Sequence, residues 1–148
     1  MSTVIIPQGD SSIKGGRTGE TPIISSAAFT TSGTAGPWPV DFFSSAEIQI
    51  AVTTVSGTLA VYVQKLLPDN VTYSDIGTTG TLQSAIFTTT GVFVFSFVNG
   101  GNSFITSQAA ALTTSTVVVH FGNYWRINYV LAGSGPSSTF GVWGSFKK

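Results

Sequence analysis

His120 is the only histidine in the chain and stands in the run Val117-Val-Val-His-Phe121. Imidazole is the side chain best suited to move a proton near neutral pH, so acid–base chemistry would start here. Strand alternation turns His120 away from Val117, Val119 and Phe121. A catalytic base also needs a nucleophile to activate and an acid to orient it, and the local sequence supplies neither. A surface or edge-strand histidine is the simpler reading. The carboxylates Asp41, Glu47, Asp69 and Asp75 are dispersed, whereas glycoside hydrolysis requires two that face each other across roughly 5–9.5 Å. Asp10, Asp69 and Asp75 lack the spacing of a calcium loop. Neither a Gly-x-Ser-x-Gly elbow nor a phosphate loop occurs, and Gly133-Ser-Gly-Pro136 reads as a hairpin turn. With no cysteine, thiolate catalysis, disulfides and the common structural zinc sites are excluded. The expectation is a protein that is not an enzyme and carries no metal or cofactor.

The aromatic residues offer binding chemistry instead. Phe93, Phe95 and Phe97 share one face of a strand whose other face holds Val92, Val94 and Val98. A strand apolar on both faces is either central to a core or covered on its outer side, by a loop such as residues 99–112 or by another subunit. Trp143 points opposite to Val142, as an exposed anchor would. Trp38, between Pro37 and Pro39, reads as part of a rigid extended loop. Aromatics displayed on a sheet face or on loops also suit stacking against sugar rings.

The elements that must hold these residues follow from composition and alternation. With 42% hydrophobic and 12% aromatic residues, the chain can bury enough apolar surface to order itself, and its 148 residues suit one domain. Residues 46–55 place Ile48, Ile50 and Val52 on one face, and residues 58–67 place Leu59, Val61 and Val63 on the face opposite Tyr62 and Gln64, with Ser56-Gly57 reading as the turn between two strands. Pro68-Asp69-Asn70 is a further turn, since proline presets the first corner and asparagine tolerates a left-handed backbone. Strands are also expected at residues 23–31, 71–76, 82–88, 92–98, 116–121, 125–132 and 139–146, about nine in total. Abundant Ser, Thr and β-branched residues leave a single helical turn, at 107–112, as the one helical candidate. The expected fold is all-β, an antiparallel two-sheet sandwich of jelly-roll type spanning residues 23–148. Residues 1–22 are expected to be an extended N-terminal arm, rich in Gly, Ser and Thr, with Val4, Ile5 and Ile6 as an apolar tip and Lys14 and Arg17 among its charges.

Charge sharpens the expectation. Six Lys and Arg balance six Asp and Glu, only 8% of residues are charged, and four of those twelve charges fall in the arm. Such a chain lacks the basic footprint of a protein that tracks nucleic acid or anionic membrane. It has no stretch resembling a membrane span, and its first residues lack the basic and apolar regions of a secretion signal, so a soluble protein made in the cytoplasm is expected. Ordinary surfaces carry about 25–35% charged residues, and a neutral surface this poor in charge favours association. The deficit reads as surface to be covered by neighbours.

Three segments carry a resemblance. Val55-Ser-Gly-Thr-Leu-Ala-Val-Tyr-Val-Gln-Lys, Pro68-Asp-Asn-Val-Thr-Tyr-Ser-Asp-Ile76 and Tyr124-Trp-Arg-Ile-Asn-Tyr-Val-Leu-Ala-Gly-Ser-Gly-Pro-Ser-Ser-Thr-Phe-Gly-Val142 resemble the strand-and-turn patterns of small tailed-bacteriophage virion proteins, most of all head decoration (capsid cement) proteins. The likeness spans residues 55–142 with an unmatched middle. Arg126, opposite in alternation to Trp125, Ile127, Tyr129 and Leu131, fits that pattern. The resemblance implies a β-sandwich that binds the outside of a capsid as a homotrimer, with the major capsid protein as partner and the virion exterior as location. It lends no catalytic residue. The interface candidates are Val4, Ile5, Ile6, Lys14, Arg17, Trp38, Phe93, Phe95, Phe97 and Trp143. The rival readings are a tail, baseplate or head-fibre subunit of the same particle, and a glycan-binding sandwich that stacks sugars on Trp38, Trp143 and tyrosines.

Overall fold

The computed structural model describes residues 22–76, 84–107 and 117–148. Among these the chain forms nine strands: β1 (Pro22–Phe29), β2 (Gly33–Pro39), β3 (Ser45–Leu66), β4 (Tyr73–Asp75), β5 (Ser84–Phe87), β6 (Gly91–Val98), β7 (Gly101–Ser107), β8 (Val117–Val119) and β9 (Tyr124–Lys147). Their ladders are antiparallel, and the fold is all-β, as expected. Pro22 already belongs to β1, opposite Trp143. Residues 1–21, which hold Val4, Ile5, Ile6, Lys14 and Arg17, lie outside the described residues, as do positions 108–112 of the expected helical turn.

Two long strands organise the molecule. β3 and β9 pair along nearly their whole lengths, from Ser45 opposite Lys147 to Lys65 opposite Trp125. A straight strand of 22 residues would run about 70 Å, roughly twice the width of a domain of this size. The ribbon therefore bends and contributes to two layers. In the first layer the order is β1, the C-terminal half of β9, the N-terminal half of β3, β6 and β7, with β8 pairing β7 as a small second sheet. In the second layer β2 flanks the N-terminal half of β9, and β4 and β5 flank the C-terminal half of β3. As in a jelly roll, neighbouring strands come from opposite ends of the chain.

The bend corrects two expectations. Ser56-Gly57 does not join two strands, and Gly133–Pro136 does not close a hairpin; each lies inside one continuous strand. The register passes from Ser56 opposite Ser137 to Thr58 opposite Ala132, so Gly57 alone faces residues 133–136. That bulge turns both strands the same way. Gly57 has φ +78° and Gly133 φ +114°, backbone that side-chain-bearing residues rarely adopt. Beside the bend, Ser138 Oγ donates to Thr54 O at 3.0 Å and Thr139 N donates to Thr54 Oγ1 at 3.2 Å, which ties the strands together where the ladder is irregular.

The inward parity changes across the bend for the same reason. On β3, Ala46, Ile48, Ile50 and Val52 point into the core, and after the inserted residues Leu59, Val61 and Val63 do. On β9 the switch runs from Trp125, Ile127 and Tyr129 to Phe140, Val142 and Phe146. The layers meet through aromatic pairs: Phe97 with Trp125 at 5.1 Å between ring centroids, Tyr129 with Phe140 at 5.3 Å, and Trp38 with Phe146 at 6.3 Å.

Two strands were not expected from the sequence. The segment around Trp38, read as a loop, is β2, with Trp38 opposite Trp125. Residues 101–107, read as part of a covering loop, are β7 and pair with β6.

Candidate functional site

The expected interface aromatics divide by burial. Trp38 is fully buried and Phe95 and Phe97 are at most 1% exposed, so all three belong to the protein's own core and are removed from any surface interface. The reason is register: Ile48 lies opposite Phe95 and Ala46 opposite Phe97, which turns the phenylalanine face inward. Phe93, on the same face, is half-buried and packs on Phe87 at 4.4 Å. Trp143 is the one described candidate on an outer face. It is half-buried, with its ring over Gly141, where a Cβ would come within 2.7 Å of the indole.

His120 is exposed and lines a shallow groove of about 410 Å³ at one end of the sandwich. Lys65, Pro68, Asn70, Gly122 and Asn123 also line it, and Lys65 Nζ donates to His120 O at 3.1 Å. Among the described residues that line it, none is a carboxylate or a hydroxyl nucleophile. Among the described residues no three His, Cys, Asp or Glu side chains gather as a metal site.

Asp69 shapes the turn beside this groove. Its carboxylate accepts hydrogen bonds from Val71 N at 2.9 Å, Thr72 N at 2.8 Å and Thr72 Oγ1 at 2.6 Å. These bonds, the Thr72 hydroxyl foremost, hold its pKa below the ordinary carboxylate value. A depressed folded-state pKa stabilises the turn fully above the unfolded value of about 3.9, and that contribution is lost as pH falls through the folded value. The Thr72 amide shift, followed against pH, should therefore titrate with a midpoint under that of a free aspartate. A midpoint at or above it would show that the bonds do not hold the ionised form.

The two outer faces differ in chemistry. On the first layer, Trp143, Ala51, Val92, Val94 and Val98 set apolar side chains on the outer face, interspersed with Gln49, which lies opposite both Trp143 and Val94, and with Ser45, Ser96 and Ser145. Glu47 and, at its margin, Lys147 are the ionisable groups that its described residues on β3, β6 and β9 contribute. On the second layer the outward residues are mixed: Ala60, Ile86 and Val130 are apolar at one end, and polar and aromatic side chains gather around Gln64 at the other. Gln64 lies opposite both Arg126 and Asp75, Leu66 opposite Tyr73, and Tyr62 opposite Asn128. Arg126 Nε donates to Gln64 Oε1 at 2.8 Å, and Gln64 Nε2 donates to Asp75 Oδ1 at 3.0 Å. The Arg126 guanidinium carbon lies 3.9 Å from the centre of the Tyr73 ring, a cation–π stack. Charge, stacking and hydrogen bonding thus fix one arginine in place.

Alternation in the sequence had turned Tyr62, Gln64 and Arg126 outward. It held no sign that they meet, because Gln64 and Arg126 are 62 positions apart. Comparisons with protein-family models, with curated proteins and with solved structures returned no match.

Proposed function

We propose that this protein is a structural subunit of a tailed-phage virion, a β-sandwich that decorates and stabilises a capsid as a homotrimer, with the major capsid protein as its partner. The observation that carries this reading is the first layer's outer face, where Trp143, Ala51, Val92, Val94 and Val98 stand in a chain already poor in charge. Small and apolar side chains on a flat sheet lose little rotamer entropy and little hydration when a neighbour covers them. The segments that resemble phage virion proteins give the reading its particle.

The size of the face sets a condition. Five strands about 4.8 Å apart and about eight residues long span roughly 600 Å², less than the roughly 800 Å² per partner that a stable interface buries. A second contribution is required, and residues 1–21, with Val4, Ile5 and Ile6, are the segment available to make it.

Mass measurement of the full chain at micromolar concentration should give a trimer, and co-sedimentation should place it on capsids that lack it. Removing residues 1–21 should leave the unfolding midpoint unchanged but weaken assembly at least tenfold. A clean monomer that ignores capsids would sink the cementing role. A tail, baseplate or fibre position would instead be revealed by labelling away from the head.

A further inference from the structure

We propose that the outer face of the second layer is a binding site for a neutral oligosaccharide with vicinal hydroxyls, centred on Arg126, Gln64 and Asp75 and flanked by Tyr62 and Tyr124. This site is independent of the virion reading and uses the opposite side of the sandwich.

Three of the chain's four tyrosines, Tyr62, Tyr73 and Tyr124, project on this one face; the fourth, Tyr129, is in the core. An aromatic ring displayed on a flat sheet presents an apolar surface with a polar tip, which matches a pyranose ring with its C–H face and hydroxyl rim. Arg126 covers one side of Tyr73, so stacking falls to Tyr62 and to Tyr124, which is 42% exposed. Tyr62 stands opposite Asn128, four residues along β9 from Tyr124. The two rings are therefore about 13 Å apart along the strands, a span suited to a short oligosaccharide lying flat and too long for a single ring.

The polar groups between them complement a diol. Asp75 is an acceptor for hydroxyl hydrogens, while the Asn128 amide and the Arg126 guanidinium donate to hydroxyl oxygens. Arg126 commits Nε to Gln64, and its Nη groups make no hydrogen bond among the described residues. The stack and the Gln64 bond hold the guanidinium in position before a ligand arrives, which lowers the entropy lost on binding.

Charge decides between ligand classes. Arg126 is the one cation on this face among its described residues, because Lys65 turns the other way and reaches His120 O. Asp75, joined to Arg126 through Gln64, offsets that charge. A phosphate polymer needs several cations in a row, and an acidic peptide would meet a face whose single described cation is already offset by Asp75. A neutral polyol meets neither obstacle.

The test is a glycan array of neutral and acidic oligosaccharides probed with the full chain, followed by calorimetry with the best neutral ligand. Saturable binding of a neutral glycan is expected. Tyr124→Ala should weaken it about tenfold. Arg126→Lys, which keeps the charge but loses the planar stack and the Nε bond, should weaken it comparably. Trp143→Ala, on the other layer, should leave the affinity unchanged, and equal urea midpoints would show that the variants remain folded. No neutral glycan bound, binding that survives both Tyr124→Ala and Arg126→Lys, or a preference for polyanions abolished by salt would each overturn the site.

Discussion

Trp125→Ala should cost about 3–5 kcal/mol of folding free energy, the range for truncating a large buried aromatic. Trp125 is fully buried where the two layers meet. Its ring packs against Phe97 at 5.1 Å, Phe121 at 4.5 Å and Phe146 at 6.3 Å, joining both sheets and the segment that leads into β9. The indole Nε1 donates to Phe121 O at 2.8 Å, so truncation opens a cavity and also strands a buried carbonyl. Because domains are stable by only about 5–15 kcal/mol, this one change should leave a marginal protein. Urea unfolding followed by far-UV circular dichroism measures it, and a loss under about 1 kcal/mol would contradict the central position given to the ring. Trp38 supplies the contrast, since its buried indole nitrogen has no acceptor among the described residues. Trp125→Phe should therefore cost about 1 kcal/mol more than Trp38→Phe, the worth of one hydrogen bond.

Gly57→Ala should be the most damaging change of a single small residue, at roughly 2–4 kcal/mol, combining a left-handed backbone cost with a steric one. Gly57 has φ +78°, and a Cβ there would stand 2.3 Å from the Ala132 carbonyl oxygen, a backbone atom of the partner strand with no rotamer to yield. Gly135→Ala separates the two contributions. It shares the positive φ, at +59°, but a Cβ at that position meets nothing within 4 Å. Only the backbone cost of about 1 kcal/mol should apply there. Equal losses at the two positions would mean that the close approach across the bend contributes nothing. A larger loss at Gly57 would establish that the bend depends on tight strand contact.

Much of the architecture was legible because alternation is a local signal. Ile48, Ile50 and Val52, then Leu59, Val61 and Val63, declare inward faces from spacing alone, and all six are buried. The change of parity between the two groups was legible too, but a tight turn and a bulge both produce it. Choosing between them required the partner strand. Once β9 pairs on either side of Gly57, a bent continuous strand satisfies the backbone groups that a turn would release. The segment around Trp38 was misread for a related reason. Two flanking prolines lower strand propensity, yet β2 is held as an edge strand by its pairing with β9, and Trp38 gains burial opposite Trp125.

Sequence by itself determined the class of the protein: all-β, poor in charge, without a local catalytic motif, with Tyr62, Gln64 and Arg126 outward and alternating aliphatics inward. These are properties of single strands, set by a two-residue period and by composition. Which outward residues share a face was decided only by the tertiary structure. The same pairing that buried Phe95, Phe97 and Trp38 left Trp143 on the outer face of one layer, opposite Gln49, and gathered Arg126, Gln64, Asp75, Tyr62 and Tyr73 on the other. Contacts between residues 62 positions apart depend on register, and register is chosen by the whole set of strands burying a common core, which no single segment encodes.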